Sequence, residues 1–310
     1  MSSRSPDLEK RIVVLGAGRP LADAVVQRLA AESRDVSPVF LEGDKVTGNA
    51  TRTAGLSVVD PAKTESIAQA CRGAGTIFSC IEPDFSSQRA WTEYSSNIVY
   101  AAIEVGALLT FASHLRNSES DNTTLESDIV NAHQSELTKT VVARMPQLFG
   151  RGVINPLWKL IYNAVLSGKR AHWVGDPNVQ RSLLDVEDAA GAMIELAGSP
   201  GAHGRAWNIA NPETVSGRRF AELTFAAKGL EPKVGSWGRG ILLTGGPLSS
   251  DSRDVLKMPY DYYSPFVLSG EEFSRAFPSF RFTPPQESIS KGLVWFEGHR
   301  QGSPRHRSAR

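Results

Sequence analysis

A glycine-containing turn near the start of the chain carries residue types that suit a phosphate-bearing ligand. The apolar run Arg11–Leu15 leads into Gly-Ala-Gly-Arg-Pro-Leu-Ala at residues 16–22, and an apolar-periodic segment follows. Glycines at a strand-to-helix turn let the backbone approach a diphosphate, whose charge is stabilised by free amides at the helix N-terminus. Glycine also serves tight turns for geometry alone, which is the competing interpretation. The dinucleotide-binding residues predicted here are Gly16, Gly18, Arg19, Pro20 and Leu21.

Charged residues near this turn bear on which ribose it would accept. A guanidinium at Arg19 suits a ribose 2′-phosphate through bidentate, charge-assisted hydrogen bonds, and a solvated arginine is the alternative. Glu42 or Asp44 would instead accept hydrogen bonds from an unphosphorylated ribose, while Lys45 would reverse that preference. The pattern favours NADP(H) over NAD(H). Asp60 is placed either to meet the adenine amino group or to cap the next helix.

The segments that must position these residues alternate between β-branched runs and amphipathic stretches, which indicates a parallel sheet with crossover helices. Strands are predicted at Arg11–Leu15, Val36–Leu41, Leu56–Val59, Thr76–Ile81, Leu108–Ala112 and Thr140–Met145. Helices are predicted at Leu21–Glu32, Thr64–Cys71, Ser86–Val105 and Leu125–Leu137, with a short or absent one at Asp44–Thr53. The predicted fold class is α/β, a Rossmann-type doubly wound parallel sheet with a smaller C-terminal substrate-binding part.

The pattern changes after Met145, where shorter elements and a loop-rich stretch from Gly235 to Pro265 follow. Further elements are predicted at Asn155–Leu166, Ala171–Val174, Gln180–Asp185, Val186–Ala197 and Arg205–Ile209. We therefore expect a flexible N-terminus at 1–10, a dinucleotide-binding core at 11–150 and a substrate-binding part at 151–298 that sends segments back to the core. Residues 299–310 are expected to be a disordered basic tail.

Composition excludes several classes of protein. The 310 residues are 41% hydrophobic and carry a formal charge of +1, so no basic surface for nucleic acid is expected. Cys71 and Cys80 are too few for a disulfide framework, and neither they nor the histidines have metal-ligand spacing. No apolar stretch reaches about 18 residues, and the first residues lack a signal-peptide pattern. A cytoplasmic monomer or homodimer with a small-molecule substrate is predicted, without membrane or metal.

Several segments in their expected order resemble the extended and atypical short-chain dehydrogenase/reductases, including the NAD-dependent epimerase/dehydratase and NmrA-like branches. The resemblance covers about residues 11 to 230, and beyond the glycine turn it rests on Gly73–Cys80, Val142–Gly150, Trp173–Asp176 and Leu184–Asp188. The family's glycine pattern is Gly-x-x-Gly-x-x-Gly, and here Arg19 and Ala22 stand at its second and third glycines.

The catalytic pair that this resemblance implies is missing. Members of the family carry Tyr-x-x-x-Lys on the helix after the fifth strand, and none of the tyrosines here has lysine four residues later. The pair would fall on Asp128 and Ala132. Ser113 and His114 stand at the strand end and are the candidate catalytic residues. The proton for a carbonyl reduction would come from one of them, from His133, from water, or from a phenol on the substrate itself.

The resemblance also implies the rest of the site and the activity. It makes Cys80, Ile81 and Met145 cofactor-binding residues, with Met145 touching the nicotinamide, and a buried structural thiol is the alternative for Cys80. The candidate substrate contacts are Glu82, Phe149, Trp158 and Trp237, and a loop or core role is their alternative. The implied activity is NAD(P)H-dependent reduction of a ketone on an angucyclinone-like aromatic polyketide. The alternatives are a non-catalytic NmrA-like nucleotide sensor, and an epimerase, dehydratase or cyclase on the same scaffold.

Overall fold

The computed structural model describes residues 6–43, 57–81, 88–115, 123–238 and 262–300. Its strands are β1 Arg11–Leu15, β2 Val36–Leu41, β3 Ser57–Val59, β4 Ala74–Ser79, β5 Leu108–His114, β6 Thr140–Met145, β7 Gln147–Phe149, β8 Ala171–Val174, β9 Gln180–Arg181, β10 Leu183–Asp185, β11 Ala206–Asn208, β12 Val215–Ser216 and β13 Val234–Trp237. Its α-helices are α1 Pro20–Ala31, α2 Thr64–Cys71, α3 Gln88–Val105, α4 Thr123–Gln134, α5 Pro156–Leu166, α6 Val186–Gly198, α7 Gly217–Ala226, α8 Glu271–Ala276 and α9 Pro285–Arg300.

The central sheet has seven strands in the order β11-β6-β5-β4-β1-β2-β3, all of them parallel. The chain builds outward from β1 through β2 to β3, and then returns to the other side of β1 with β4. This reversal makes the β1/β4 junction the topological switch point, where ligands bind at the carboxyl ends of strands in open α/β sheets. The predicted α/β fold with a doubly wound parallel sheet is confirmed.

The sheet strands are apolar throughout, as strands covered on both faces must be. In β1 every residue from Ile12 to Leu15 is buried, and all of β4 is buried. A core cluster on one face joins strand residues such as Val13 and Ile77 to Ile67, Ile98 and Ile129 of α2, α3 and α4.

Two compact units are distinguished along the chain. The first contains Met1–Gln147, Val186–Ala210 and Leu268–Arg281, and the second contains Leu148–Asp185, Asn211–Val267 and Phe282–Arg310. The first unit holds the central sheet. The second includes the small sheets β8–β13 and β9–β12, together with α5, α7 and α9.

Several sequence predictions need correction. The segment 1–10 is predicted to be flexible, but Pro6–Glu9 forms a 3-10 helix because Leu8 is buried and the Asp7 carbonyl accepts a hydrogen bond from Thr76. Helices α7, α8 and α9 are absent from the sequence prediction, and β13 replaces the start of the expected loop-rich stretch. The tail prediction is wrong for residues 299 and 300, which end α9.

Part of the predicted pattern lies outside the described residues. This holds for the weak helix Asp44–Thr53, for Lys45 and Glu82, and for residues 301–310. None of the helices in the described part of the chain is long and apolar enough to cross a bilayer.

Candidate functional site

The candidate site lies where β1 and β4 end side by side. Leu15 pairs with Ser79 in the sheet, and the Cys80 N–H continues the ladder by donating to the Leu15 carbonyl at 3.1 Å. Gly16 follows β1 directly and Cys80 follows β4, so the two flank the switch point. The structure therefore brings together the glycine turn and the residues predicted to follow the fourth strand.

Both glycines of the turn have backbone conformations that favour glycine. Gly16 has φ +96° and Gly18 has φ +87°. A Cβ on Gly16 would lie 3.1 Å from the Cys80 carbonyl oxygen, and one on Gly18 would lie 3.2 Å from a ring carbon of Phe40. The protein's own packing thus accounts for both glycines, and their presence alone does not require a ligand.

The amides of the turn decide what it can offer to an anion. The Gly16 and Ala17 N–H groups both donate to the Val39 carbonyl, and the Arg19 N–H donates to the Gly16 carbonyl. Pro20, the first residue of α1, has no N–H at all. The N–H groups of Leu21 and Ala22 lie in the first turn of α1, where helical amides have no acceptor inside the helix.

The remaining amide of the turn is bound by a carboxylate. Gly18 donates its N–H to Oδ1 of Asp23 at 2.8 Å. Asp23 stands in the first turn of α1 and its own N–H donates to the Arg19 carbonyl. Burial raises the pKa of the Asp23 carboxyl, and the hydrogen bond from Gly18 partly opposes this shift. An anionic side chain therefore lies at the position where a diphosphate is expected.

The residues predicted to meet the adenosine part have contacts of their own. Asp60 accepts from the Ala62 N–H at 2.9 Å and pairs with Lys63 at 2.9 Å; the Lys63 contact and then the Ala62 hydrogen bond lower the pKa of Asp60. Asp60 thus holds the segment that leads into α2, but it does not cap that helix, whose N-cap is Lys63 without a side-chain cap hydrogen bond. Glu42 is exposed just after β2, and Arg19 is half-buried at the N-terminal end of α1.

A buried polar network connects the ends of β5 and β6 to α4. Ser113 pairs with Arg144 across the two strands. The Ser113 hydroxyl donates to Glu126 Oε1 at 2.5 Å, and Arg144 contacts Glu126 Oε2 through Nε at 2.7 Å and Nη2 at 2.6 Å. Ser113 and Glu126 are buried, whereas the Arg144 side chain keeps 34% of its exposure. The strand-end serine is therefore held by a carboxylate that an arginine neutralises.

The other residues predicted at this edge are buried close to one another along the sheet. His114 is 6% exposed and pairs with Met145 at the ends of β5 and β6, and the Met145 carbonyl accepts from the Leu115 N–H at 2.8 Å. Cys80 and Ile81 are also buried. The sequence prediction thus places Ser113, His114 and Met145 at one edge of the sheet, as the structure does.

The predicted substrate contacts of the second unit have core surroundings. Phe149 and Trp158 are fully buried, and the Trp158 ring stacks on Phe220 at 4.3 Å between centroids. Trp158 also donates its indole N–H to the Leu148 carbonyl. These contacts are those of core side chains, which agrees with the core alternative for Phe149 and Trp158. Trp237 differs, since it is half-buried on β13 and stacks on His172 at 4.8 Å.

Sequence reasoning missed Asp23 and Glu126, which make the most specific polar contacts of the site. Each is an acidic residue in the first turn of its helix. Such residues are commonly explained by their favourable interaction with the helix dipole, which hides any specific partner. A signal was present nonetheless, because an acid directly after a glycine turn is unfavourable for binding a diphosphate.

Comparison with known proteins gives structural matches only. No protein-family model matches the sequence, and no curated protein sequence matches it. A UDP-glucose 4-epimerase from Thermus thermophilus in complex with NAD superposes with a TM-score of 0.70 at 18% identity, over 93% of this chain and 99% of that one. A dTDP-glucose 4,6-dehydratase from Streptomyces venezuelae, with NAD bound, matches with a TM-score of 0.70 at 14% identity, over 94% and 98%.

A GDP-L-fucose synthetase from Naegleria fowleri bound to NADP matches with a TM-score of 0.69 at 13% identity, over 95% of this chain and 96% of that one. The matches span almost the whole of each chain, so the likeness is not limited to the central sheet. At these identities the likeness establishes the fold alone, an α/β fold with a parallel central sheet like that of these three structures.

Proposed function

We propose that this chain is an NAD(P)H-dependent oxidoreductase of the short-chain dehydrogenase/reductase type that reduces a ketone without a tyrosine–lysine pair. The observation that carries the proposal is the glycine turn at the switch point between β1 and β4, the place where this class of sheet binds ligands. The structural neighbours support it, since the three described above hold NAD or NADP. NADP(H) remains our preferred cofactor because of Arg19.

In the proposed complex a nicotinamide dinucleotide would lie at the turn. The first-turn amides of Leu21 and Ala22 would hold the diphosphate, and the Arg19 guanidinium would pair with a ribose phosphate. Cys80, Ile81 and Met145 would border the nicotinamide end. When bound, the reduced cofactor supplies a hydride, and the protein must position the ketone and provide for the proton.

The polar network at the end of β5 limits which side chains can supply that proton. Ser113 has a single hydroxyl proton, and this proton is directed at Glu126. Ser113 can therefore donate to a substrate oxygen only after its hydrogen bond to Glu126 is broken. The described residues of α4 include neither tyrosine nor lysine. A ketone that carries its own neighbouring phenol would bring the acid with it, and the reduction would place the hydride on carbon and that proton on oxygen.

Such a substrate is an aromatic polyketide, and the proposed activity resembles that of the angucyclinone ketoreductases, of the kind known from simocyclinone biosynthesis. Trp237, half-buried and stacked on His172, is the aromatic side chain that we retain as a candidate contact for a flat ring system. Ser113 and His114 remain the candidate groups for orienting the carbonyl.

Two experiments test the proposal in sequence. Isothermal titration calorimetry of the purified full-length chain with NADPH, NADP⁺, NADH and NAD⁺ should show binding, with the phosphorylated pair tighter. Absence of heat with all of them would refute the proposal. Oxidation of NADPH is then followed at its absorbance with a hydroxy-ketone polyketide and with the same compound lacking the neighbouring phenol. Equal rates with the two compounds would exclude the phenol as proton donor.

A second function is favoured by two specific observations. The anionic Asp23 at the turn and the missing catalytic pair both suit a protein that senses nucleotide without turning it over. For such a sensor, binding would be measurable but no NADPH would be consumed with any ketone. Epimerisation on the same scaffold is disfavoured, since the sugar-nucleotide version of that chemistry uses the tyrosine base that this chain lacks.

A further inference from the structure

The turn after β1 offers fewer available backbone N–H groups than a bound diphosphate would need. A diphosphate binds a helix N-terminus through several N–H groups that point at its oxygens. Here the Arg19 amide is bonded to the Gly16 carbonyl, Pro20 has no amide hydrogen, and Gly18 donates to Asp23. Leu21 and Ala22 are left to contribute the first-turn amides that have no acceptor inside the helix.

Asp23 reproduces the interaction that a phosphate oxygen would make. Its Oδ1 receives the Gly18 N–H at 2.8 Å, the length of a charge-assisted hydrogen bond to an anion. The carboxylate also lies in the first turn of α1, where the helix dipole favours a negative charge. The chain thus supplies its own anion to the site that the glycine turn would otherwise offer to a ligand.

We propose that Asp23 competes with the nucleotide diphosphate for the Gly18 amide and thereby limits the affinity of the site for the nucleotide. This inference rests on the proposed nucleotide binding and goes beyond it by naming the residue that limits it. Two effects would weaken binding together. The Asp23 carboxylate accepts the hydrogen bond of the Gly18 N–H, and it also repels the two negative charges of the diphosphate.

The effect of replacing Asp23 on nucleotide affinity distinguishes a competing residue from one that only stabilises the turn. If Asp23 merely organised the turn, its replacement would leave nucleotide affinity unchanged or weaken it. If it competes, its replacement strengthens binding. The two roles therefore predict opposite signs for the same measurement.

Asp23→Asn is the decisive substitution, because asparagine can still accept the Gly18 N–H while the charge is lost. Like charges placed side by side at a binding site strongly disfavour association, so we expect the Kd for NADPH to fall by about ten-fold or more. Asp23→Ala also frees the Gly18 amide and is expected to bind at least as tightly as Asp23→Asn. Thermal unfolding checks that each variant is folded.

Asp35→Asn is the matched control. It removes the same charge from the same unit, but Asp35 is exposed and its backbone carbonyl meets the Ile12 N–H at the opposite end of β1. That position lies roughly 15 Å from the turn along the strand, which is more than a Debye length of about 10 Å. The Kd of this control is expected to stay within about two-fold of the wild-type value.

Calorimetry with NADPH separates the possible outcomes. Tighter binding by Asp23→Asn with an unchanged Asp35→Asn supports the inference. Equal or weaker binding by Asp23→Asn, when the wild-type chain binds, overturns the role of Asp23 and leaves the proposed function intact. Absence of binding by the wild-type chain and by both Asp23 variants overturns the inference together with the proposed function.

Discussion

Replacement of Arg144 by methionine tests whether the network at the end of β5 is a true buried ion pair. Glu126 is 2% exposed and has two described partners, the Ser113 hydroxyl at 2.5 Å and the Arg144 guanidinium at 2.6 to 2.7 Å. Without Arg144 the carboxylate would remain buried with a single neutral donor. Truncating one partner of a buried pair costs about 3–5 kcal/mol because the other charge is left uncompensated.

The expected loss lies at the lower end of that range. Since the Arg144 side chain keeps 34% of its exposure, water can replace part of its interaction with Glu126 Oε2. We therefore expect Arg144→Met to reduce the free energy of unfolding by about 3 kcal/mol. For a chain of 310 residues, whose entropy of unfolding is about 0.65 kcal/mol/K, that corresponds to a fall in Tm of about 5 °C.

The double variant Glu126→Gln with Arg144→Met gives the sharper result. Removing the carboxylate charge as well removes the cause of the penalty, so the double variant should be more stable than Arg144→Met alone. Lys139→Met is the control, because its pair with Asp7 is exposed and should be worth about 1 kcal/mol or less.

Urea unfolding followed by circular dichroism measures all of these variants, provided that the slope against urea stays constant. The interpretation would be refuted if Arg144→Met cost no more than Lys139→Met. It would also be refuted if the double variant were less stable than Arg144→Met, since the network would then stabilise the fold beyond compensating its own charges.

Three further outcomes follow from individual side chains. Cys71 and Cys80 are buried, and burial raises the pKa of the Cys71 thiol to about 12, so the native protein should react with Ellman's reagent only after unfolding. Burial and nearby positive charge lower the pKa of His203 below its ordinary 6.5. The unfolded chain therefore binds more protons than the folded one as the pH falls below 6.5, so stability falls on acidification. Urea titrations at several pH values should show that His203→Gln flattens this loss. Gly18→Ala should lose about 1–2 kcal/mol in thermal unfolding, because its φ of +87° and the Phe40 ring both oppose a side chain; an unchanged Tm would show that the turn relaxes.

The sheet could be predicted from the sequence because the apolar pattern that identifies each strand lies within the strand itself. The bounds of β1, β2 and β6 are those that the apolar runs predict, since glycine, glutamate and proline respectively follow these runs and mark their ends. The C-terminal helices were missed although the sequence contains a start signal for at least one of them. Helix α7 begins with Gly217 after Ser216, whose side chain accepts the Arg219 N–H, and this N-cap is a signal that the sequence does contain.

The site was less predictable because its specific contacts are not local. The hydrogen bond from Ser113 to Glu126 joins a strand to the following helix, and the partner could not be chosen among the acids of α4 from spacing alone. The surroundings of Trp158 also depend on residues that are distant along the chain. A tryptophan after a family loop suggests a substrate contact, yet its surroundings depend on Phe220, more than sixty residues later along the chain.

The competing functions can be separated by the energetics of the turn. A reductase needs its cofactor held firmly enough to complete each turnover, and with Asp23 beside the diphosphate most of that affinity must come from the ribose phosphate and the nicotinamide end. It should then tolerate loss of Arg19 poorly and distinguish NADPH from NADP⁺ by a modest factor.

A sensor gains from a weakened turn, because its Kd can then approach the concentration of nucleotide in the cell. It must also discriminate strongly between the oxidised and reduced forms to report on them. Calorimetric Kd values for NADPH and NADP⁺ in the wild-type chain and in Arg19→Ala therefore decide the matter. A ratio near unity together with a large loss on removing Arg19 argues for the reductase, and a ratio of about tenfold or more without NADPH consumption argues for the sensor, since about 1.4 kcal/mol of differential binding is what a readable population shift begins to require.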